Sequence, residues 1–213
     1  MSENYRLIEL SRELWEIARY REVLEQHIPA LKMNAELRTA GRRPEDVAKM
    51  TDEEQISDLN ILITAYGVVP RYYRGPFIIT LWSMLESGVE EVARHVAARK
   101  AIDLQLSDIR GRTNRERWEK YFTKVLHWDL TFDQAMWQQF EELYELRNAF
   151  AHANGRVDRL TEGAKDKIQR WAQEKRGIDI KLDMIFPSEE YVRGAVNLVQ
   201  AELLKLIRRA EGT

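Results

Sequence analysis

The stretch Glu141-Glu-Leu-Tyr-Glu-Leu-Arg147-Asn-Ala-Phe-Ala-His152-Ala-Asn-Gly155 decides how the rest of the chain is read. Advancing each residue by about 100° around a helix gathers Phe132, Met136, Phe140, Leu143, Leu146 and Phe150 on one stripe. The spacing predicts an amphipathic helix from about Thr131 to a stop at Asn154-Gly155. Arg147 falls in the middle of the stripe. A guanidinium cannot stay unpaired against a core, because its desolvation costs far more than the neighbouring methylenes return. It therefore faces either a carboxylate from another helix or a groove that holds an anionic ligand.

His152 lies five residues further on, about 140° around the same helix. It shares the polar side with Glu145 and with Asn148, its i−4 neighbour. It also sits in the last turn, where the negative end of the helix dipole favours a cation. A permanent cation and an imidazole at a helix end suit binding and cleaving a phosphodiester. Their angular separation means that one copy does not aim both groups at the same atom. Two copies related by a two-fold axis would build a composite site.

Arg147-Asn-Ala-Phe-Ala-His152 resembles the Arg-x4-6-His signature of the HEPN superfamily (higher eukaryote and prokaryote nucleotide-binding), often written with Asn directly after the Arg. The Ala-Asn-Gly that follows, and the helical reading of nearly the whole chain, are similar to bacterial members. The resemblance implies a metal-independent endoribonuclease working as a homodimer, the toxin or effector of a toxin–antitoxin or defence system, with an antitoxin or regulatory protein as possible partner. It implies that Arg147 and His152 carry the chemistry and that Asn148 orients or assists. HEPN toxins silenced by nucleotidyltransferase antitoxins carry a Tyr two residues after the His. This chain has Asn154 there, a departure from that form of regulation.

Working outward, 213 residues fit one helical domain, 1–213, in which 1–75 supply long N-terminal helices and a connection and 76–213 the motif-bearing bundle. A hydrophobic share of 44% with 32% charged residues describes a soluble globular chain rather than a disordered one. The absence of cysteine excludes disulfides and thiolate metal sites. Four scattered histidines without carboxylates at ligand spacing point to no metal, and no cofactor motif is present. No apolar run approaches the roughly 18 residues of a membrane span, and Met1-Ser-Glu-Asn-Tyr-Arg6 lacks the plan of a signal peptide, so the expected location is the cytoplasm. The net charge of −2 argues against a generic nucleic-acid coat but leaves room for a local positive groove.

Upstream, Leu7, Leu14, Ile17, Leu24, Ile28, Leu31 and Ala35 mark a helix from about Glu3 to Thr39, with Pro29 expected to bend or end it. His27, beside that stripe, reads as a packing residue. Gly41-Arg-Arg-Pro44 breaks the pattern, and Pro44 suits the first turn of a short helix. Thr51-Asp-Glu-Glu54 is a capping box for a helix through Ile56, Leu59, Leu62, Ile63 and Tyr66 that Gly67 and Pro70 should close. Arg71-Tyr-Tyr-Arg74 mixes cations with rings as single-strand binders do, although an ordinary loop with half-buried tyrosines accounts for it better.

From Phe77 to about Lys100 a further helix turns Phe77, Leu81, Leu85, Val89, Val92 and Val96 inward. Gly88 marks a close crossing, and His95 belongs to a core or interface. Arg110, Arg112, Arg115, Arg117, Lys120 and Lys124 make the most basic stretch of the chain. They either line the groove beside Arg147 and hold RNA phosphates by charge, or form a solvated connection paired with Asp108, Glu116 and Glu119. Trp128 is a packing anchor. After Gly155, Glu162 to about Arg176 is helical with Ile168 and Trp171 inward. Ile178 to Met184 alternates as a strand, for which Arg156 to Leu160 is a candidate partner. Ser188 caps a last helix whose face is Val192, Val196, Val199, Leu203, Leu206 and Ile207. Adjacent glutamates such as Glu141-Glu142 point about 100° apart and read as solvated faces.

The fold expectation is thus an all-α, HEPN-like bundle with a short β-ribbon near 156–186. Two functions from different classes follow. One is the endoribonuclease. The other is a non-catalytic helical module binding RNA, a nucleotide or a protein, in which Arg147 pairs with a buried carboxylate while Asn148 and His152 cap the helix.

Overall fold

The computed structural model describes residues 3–40, 44–128 and 134–212. The order is α1 (Glu3–Ala40), α2 (Pro44–Val47), α3 (Asp52–Ile63), α4 (Val69–Arg99), α5 (Asn114–Lys120), α6 (Gln134–Ala153), α7 (Glu162–Gln173), a hairpin of β1 (Ile178–Lys181) and β2 (Met184–Pro187), and α8 (Glu189–Glu211). It is an all-α bundle with one small antiparallel ribbon. The expected helix start at Thr131, Phe132 of its stripe, Asp129 and the Gly41-Arg-Arg break lie outside the described residues.

Helix α4 runs through the middle, packed by α8, α6 and α1. Its apolar face, Phe77, Leu81, Leu85, Val89, Val92 and Val96, is buried in one cluster with the stripes of α6 and α8. Gly88 is where the helices come closest: a Cβ there would lie 2.9 Å from the Leu203 side chain of α8 and 3.3 Å from Leu10 of α1. His95 is buried as expected, and neither ring nitrogen has a hydrogen-bond partner among the described residues.

Caps follow the sequence. Thr51 and Glu54 form the reciprocal capping box of α3, and Ser188 Oγ accepts from the Tyr191 N–H at the start of α8. Pro44 opens α2.

Several expectations are overturned. Of the two outcomes expected of Pro29, ending the first helix is excluded, since it is continuous from Glu3 to Ala40. Gly67 and Pro70 do not close α3: a π-turn over Thr64–Val68 carries the helical path straight into α4, and Pro70 follows that turn at the second residue of α4. Arg71-Tyr-Tyr-Arg74 is consequently helix rather than loop. His27 and Leu31 are exposed.

The ribbon also differs from expectation. Ile178 to Met184 is not one strand. The chain reverses at Leu182 and Asp183, with φ of 49° and 57°, and Ile178 to Lys181 pairs with Met184 to Pro187. Two consecutive left-handed residues are what a two-residue hairpin turn requires, although Asn-Gly is the usual sequence for it. Arg156 contributes only a single bridge to Met184.

Candidate functional site

The end of α6 is held by a ring and two glycines. Asn154 and Gly155 both have positive φ, 50° and 67°, and the Gly155 N–H returns to the Ala149 carbonyl at 2.9 Å. A Cβ on Gly155 would come within 2.6 Å of the Phe150 ring, and a Cβ on Gly75 of α4 would do the same at 2.6 Å. Phe150 is thus gripped between two backbones that approach closely because neither carries a side chain.

Arg71 completes this corner. It is 5% exposed, its Nη2 donates to the Asn154 carbonyl, and its guanidinium lies 5.4 Å from the Tyr72 ring centroid and 6.0 Å from that of Phe150. A buried cation normally needs a carboxylate. Here the negative C-terminal end of α6 and two ring faces take that place. Next to it, Arg74 donates to both oxygens of Glu25 at 2.7 Å and to the Pro187 carbonyl at 3.1 Å, tying α4 to α1 and the hairpin. Residue-type reading singled out Arg71 within its cation–aromatic run. What it could not supply was the arrival of α6, 83 residues later, over the guanidinium.

Arg147 is half-buried on α6. Its Nη1 donates to Asn148 Oδ1 at 2.8 Å, its Nε is buried without a partner, and no carboxylate pairs with it among the described residues. A buried N–H left without an acceptor costs on the order of 1–3 kcal/mol. Arg147 and Asn148 are therefore brought together. His152 is exposed and has no hydrogen bond or ion pair with either of them. Within one chain the imidazole and guanidinium diverge, as five residues of helix require.

Part of the basic stretch is paired with its own acids, as Lys120 is with Glu116 at 2.6 Å. Arg115 pairs with Glu119 at 2.9 Å and covers the Trp137 ring at 4.9 Å, while Arg117 Nη1 reaches Asn114 Oδ1 at 3.4 Å. Arg110 and Arg112 form no side-chain ion pair within 4.0 Å among the described residues, and the Arg112 and Arg115 side chains border a cavity against Glu141, Tyr144 and Glu145 of α6.

Glu142 is a second correction. It is 5% exposed and paired with Arg176, whereas Glu141 stays in water with Lys167 at 2.7 Å. Burial pushes the Glu142 carboxyl up from its ordinary value, with Arg176 opposing, and burial together with the Glu142 charge raises the Tyr191 phenol. No group of three or more metal-ligating side chains occurs among the described residues, and no helix among them is long and apolar enough to cross a membrane. Against family models, curated proteins and solved structures, the chain matches none.

Proposed function

We propose that this chain is a HEPN-like endoribonuclease whose Arg147 and His152, contributed by two copies, act on one phosphodiester without a metal. The observation that carries this is the Arg147 guanidinium: half-buried, with an unpartnered Nε and no carboxylate over it among the described residues. Arg71 also lacks an acid and keeps an unpartnered Nε, but it is buried, whereas Arg147 is only half-buried.

In the reaction, the ribose 2′-oxygen attacks phosphorus and the bond to the 5′-oxygen breaks. His152 of one copy accepts the 2′-hydroxyl proton and His152 of the other protonates the departing 5′-oxygen. Arg147 binds the scissile phosphate and stabilises the charge that grows on its oxygens. Asn148, whose Oδ1 holds Arg147 Nη1, fixes the guanidinium. The products are a 2′,3′-cyclic phosphate and a 5′-hydroxyl, and DNA is refractory because it lacks the nucleophile. A role as toxin or defence effector under the control of a partner protein goes with this reading.

The test is cleavage of mixed-sequence single-stranded RNA in EDTA. Wild type should cut and leave cyclic phosphate ends, with Arg147→Ala and His152→Ala each slower by roughly 10²–10⁴-fold. Undiminished cutting by His152→Ala would remove the histidine from the chemistry. Intact RNA with wild-type dimer would turn the same surface into a binding module.

A further inference from the structure

Between α4, α5 and α6 lies a cavity of about 350 Å³ walled by Trp82, Trp118, Trp137 and Tyr144 and edged by Arg112 and Arg115. The size suits one small planar group, since pockets for small ligands start at roughly 300 Å³. The rings are offset rather than closed on one another. Trp82 and Trp118 stand 6.3 Å apart at 21°, and Tyr144 is tilted 57° to Trp82 at 5.1 Å.

Trp82 is 3% exposed, yet its Nε1–H has no acceptor among the described residues. Buried donors are normally satisfied, so this one is an exception, and the nitrogen is itself closed to water.

Charge narrows the ligand. The two carboxylates of the lining, Glu141 and Glu145, are both taken by Lys167, at 2.7 and 2.8 Å. Those contacts hold the lysine ammonium above its ordinary value. Arg115 is paired with Glu119 at 2.9 Å, and Arg112 is the cation of the rim that forms no side-chain ion pair among the described residues. A cationic ligand would meet the rings but also Arg112. An anionic ligand with a flat ring is favoured by both.

We infer that the cavity is a base-binding subsite: it takes the base of one nucleotide of an RNA strand, with the adjoining phosphate at Arg112. Its placement on the strand rests on the ribonuclease function proposed above. Tyr144 is four residues before Asn148 and eight before His152, so all three occupy one face of α6, and about 12 Å of helix separates the first from the last. A strand seated in the cavity continues along that face to the reacting groups and fixes which bond is cut.

Three of the chain's six tryptophans wall the cavity, so intrinsic fluorescence reports occupancy. Wild type, Tyr144→Ala, Trp82→Phe and His152→Ala are titrated with AMP, GMP, CMP, UMP and ribose 5-phosphate. At least one ribonucleotide should change the emission saturably and ribose 5-phosphate, which lacks the base, should not. Tyr144→Ala should weaken binding roughly 5- to 150-fold, the range expected for one base–aromatic contact. His152→Ala should bind as wild type does. Tyr144 is 40% exposed, so its variant remains informative if Trp82→Phe fails to fold. No response to any nucleotide, or Tyr144→Ala binding equal to wild type, overturns the subsite. Nucleotide binding without RNA cleavage by wild type keeps the subsite and removes the ribonuclease. His152-dependent cleavage with an unchanged KM and cutting pattern in Tyr144→Ala does the reverse.

Discussion

The end of α6 and the α1–α3 hairpin are built from the same kind of amphipathic helix and finish in opposite states. Along α6, Met136, Phe140, Leu143, Leu146 and Phe150 are all buried, because α4, α7 and α8 come to meet them. Along α3 no residue is buried: Ile56, Leu59 and Ile63 are 59, 56 and 50% exposed, and on α1 Leu31, Met33 and Leu37 face water too. The hairpin is held instead by rim contacts, Tyr66 donating to Glu36 and Lys32 lying 5.0 Å over the Tyr66 ring. An apolar stripe is thus a request for a partner, not a statement that the chain contains one. Ile56, Leu59 and Ile63 fall on one face of α3 by their spacing, and the dimer proposed above could use that face.

That contrast can be broken at either end. Phe150→Ala removes the ring gripped by Gly75 and Gly155 and should cost about 3–5 kcal/mol, read by denaturant unfolding. A loss near 1 kcal/mol would mean that the α6 corner is no better packed than the hairpin.

Glu142→Gln probes the buried carboxylate on the same helix. Burial raises the folded-state pKa above the unfolded one, so the stabilising contribution belongs to the protonated form. It is fully present below the unfolded pKa and lost as pH rises through the folded one. The wild type should therefore fall behind Glu142→Gln as pH climbs from the ordinary carboxylate value of 4.5 towards neutrality. Arg176, 40% exposed at its side chain, can turn to water when its partner is neutral. A variant weaker than wild type by several kcal/mol across the whole range would show that the ion pair outweighs its desolvation.

Leu59→Glu is the smallest change expected in the folding of a single chain, within about 0.5 kcal/mol, because the side chain already faces solvent. Its effect should appear in sedimentation, as a shift from dimer to monomer, and in lost RNA cleavage with His152 intact. An unchanged oligomeric state would move the partner surface elsewhere.

Periodicity located every long helix and the inward faces of α4, α6 and α8, since a stripe is written residue by residue. The same reading placed Thr51 and Ser188 at caps and Gly88 at a crossing, all of them local decisions. It failed where a distant element intervened. Gly67, Pro70 and Gly75-Pro76 look like breaks, yet the π-turn absorbs the first two, and Gly75 is small because Phe150 fills the space beside it. Leu182-Asp183 turns a hairpin without glycine or asparagine, and Glu142 is buried only because Arg176 arrives from 34 residues away.

What this sequence determined by itself is the all-α class, the faces, the caps and the placement of Arg147, Asn148 and His152 near one helix end, because each depends on spacing within a single element. What only the tertiary structure decided is which charged groups found partners: Glu142 did, Arg71 settled on a helix end and two rings, and Arg71 and Arg147 each kept an unpartnered Nε. Pairing depends on which elements meet, and helix periodicity carries no information about that meeting.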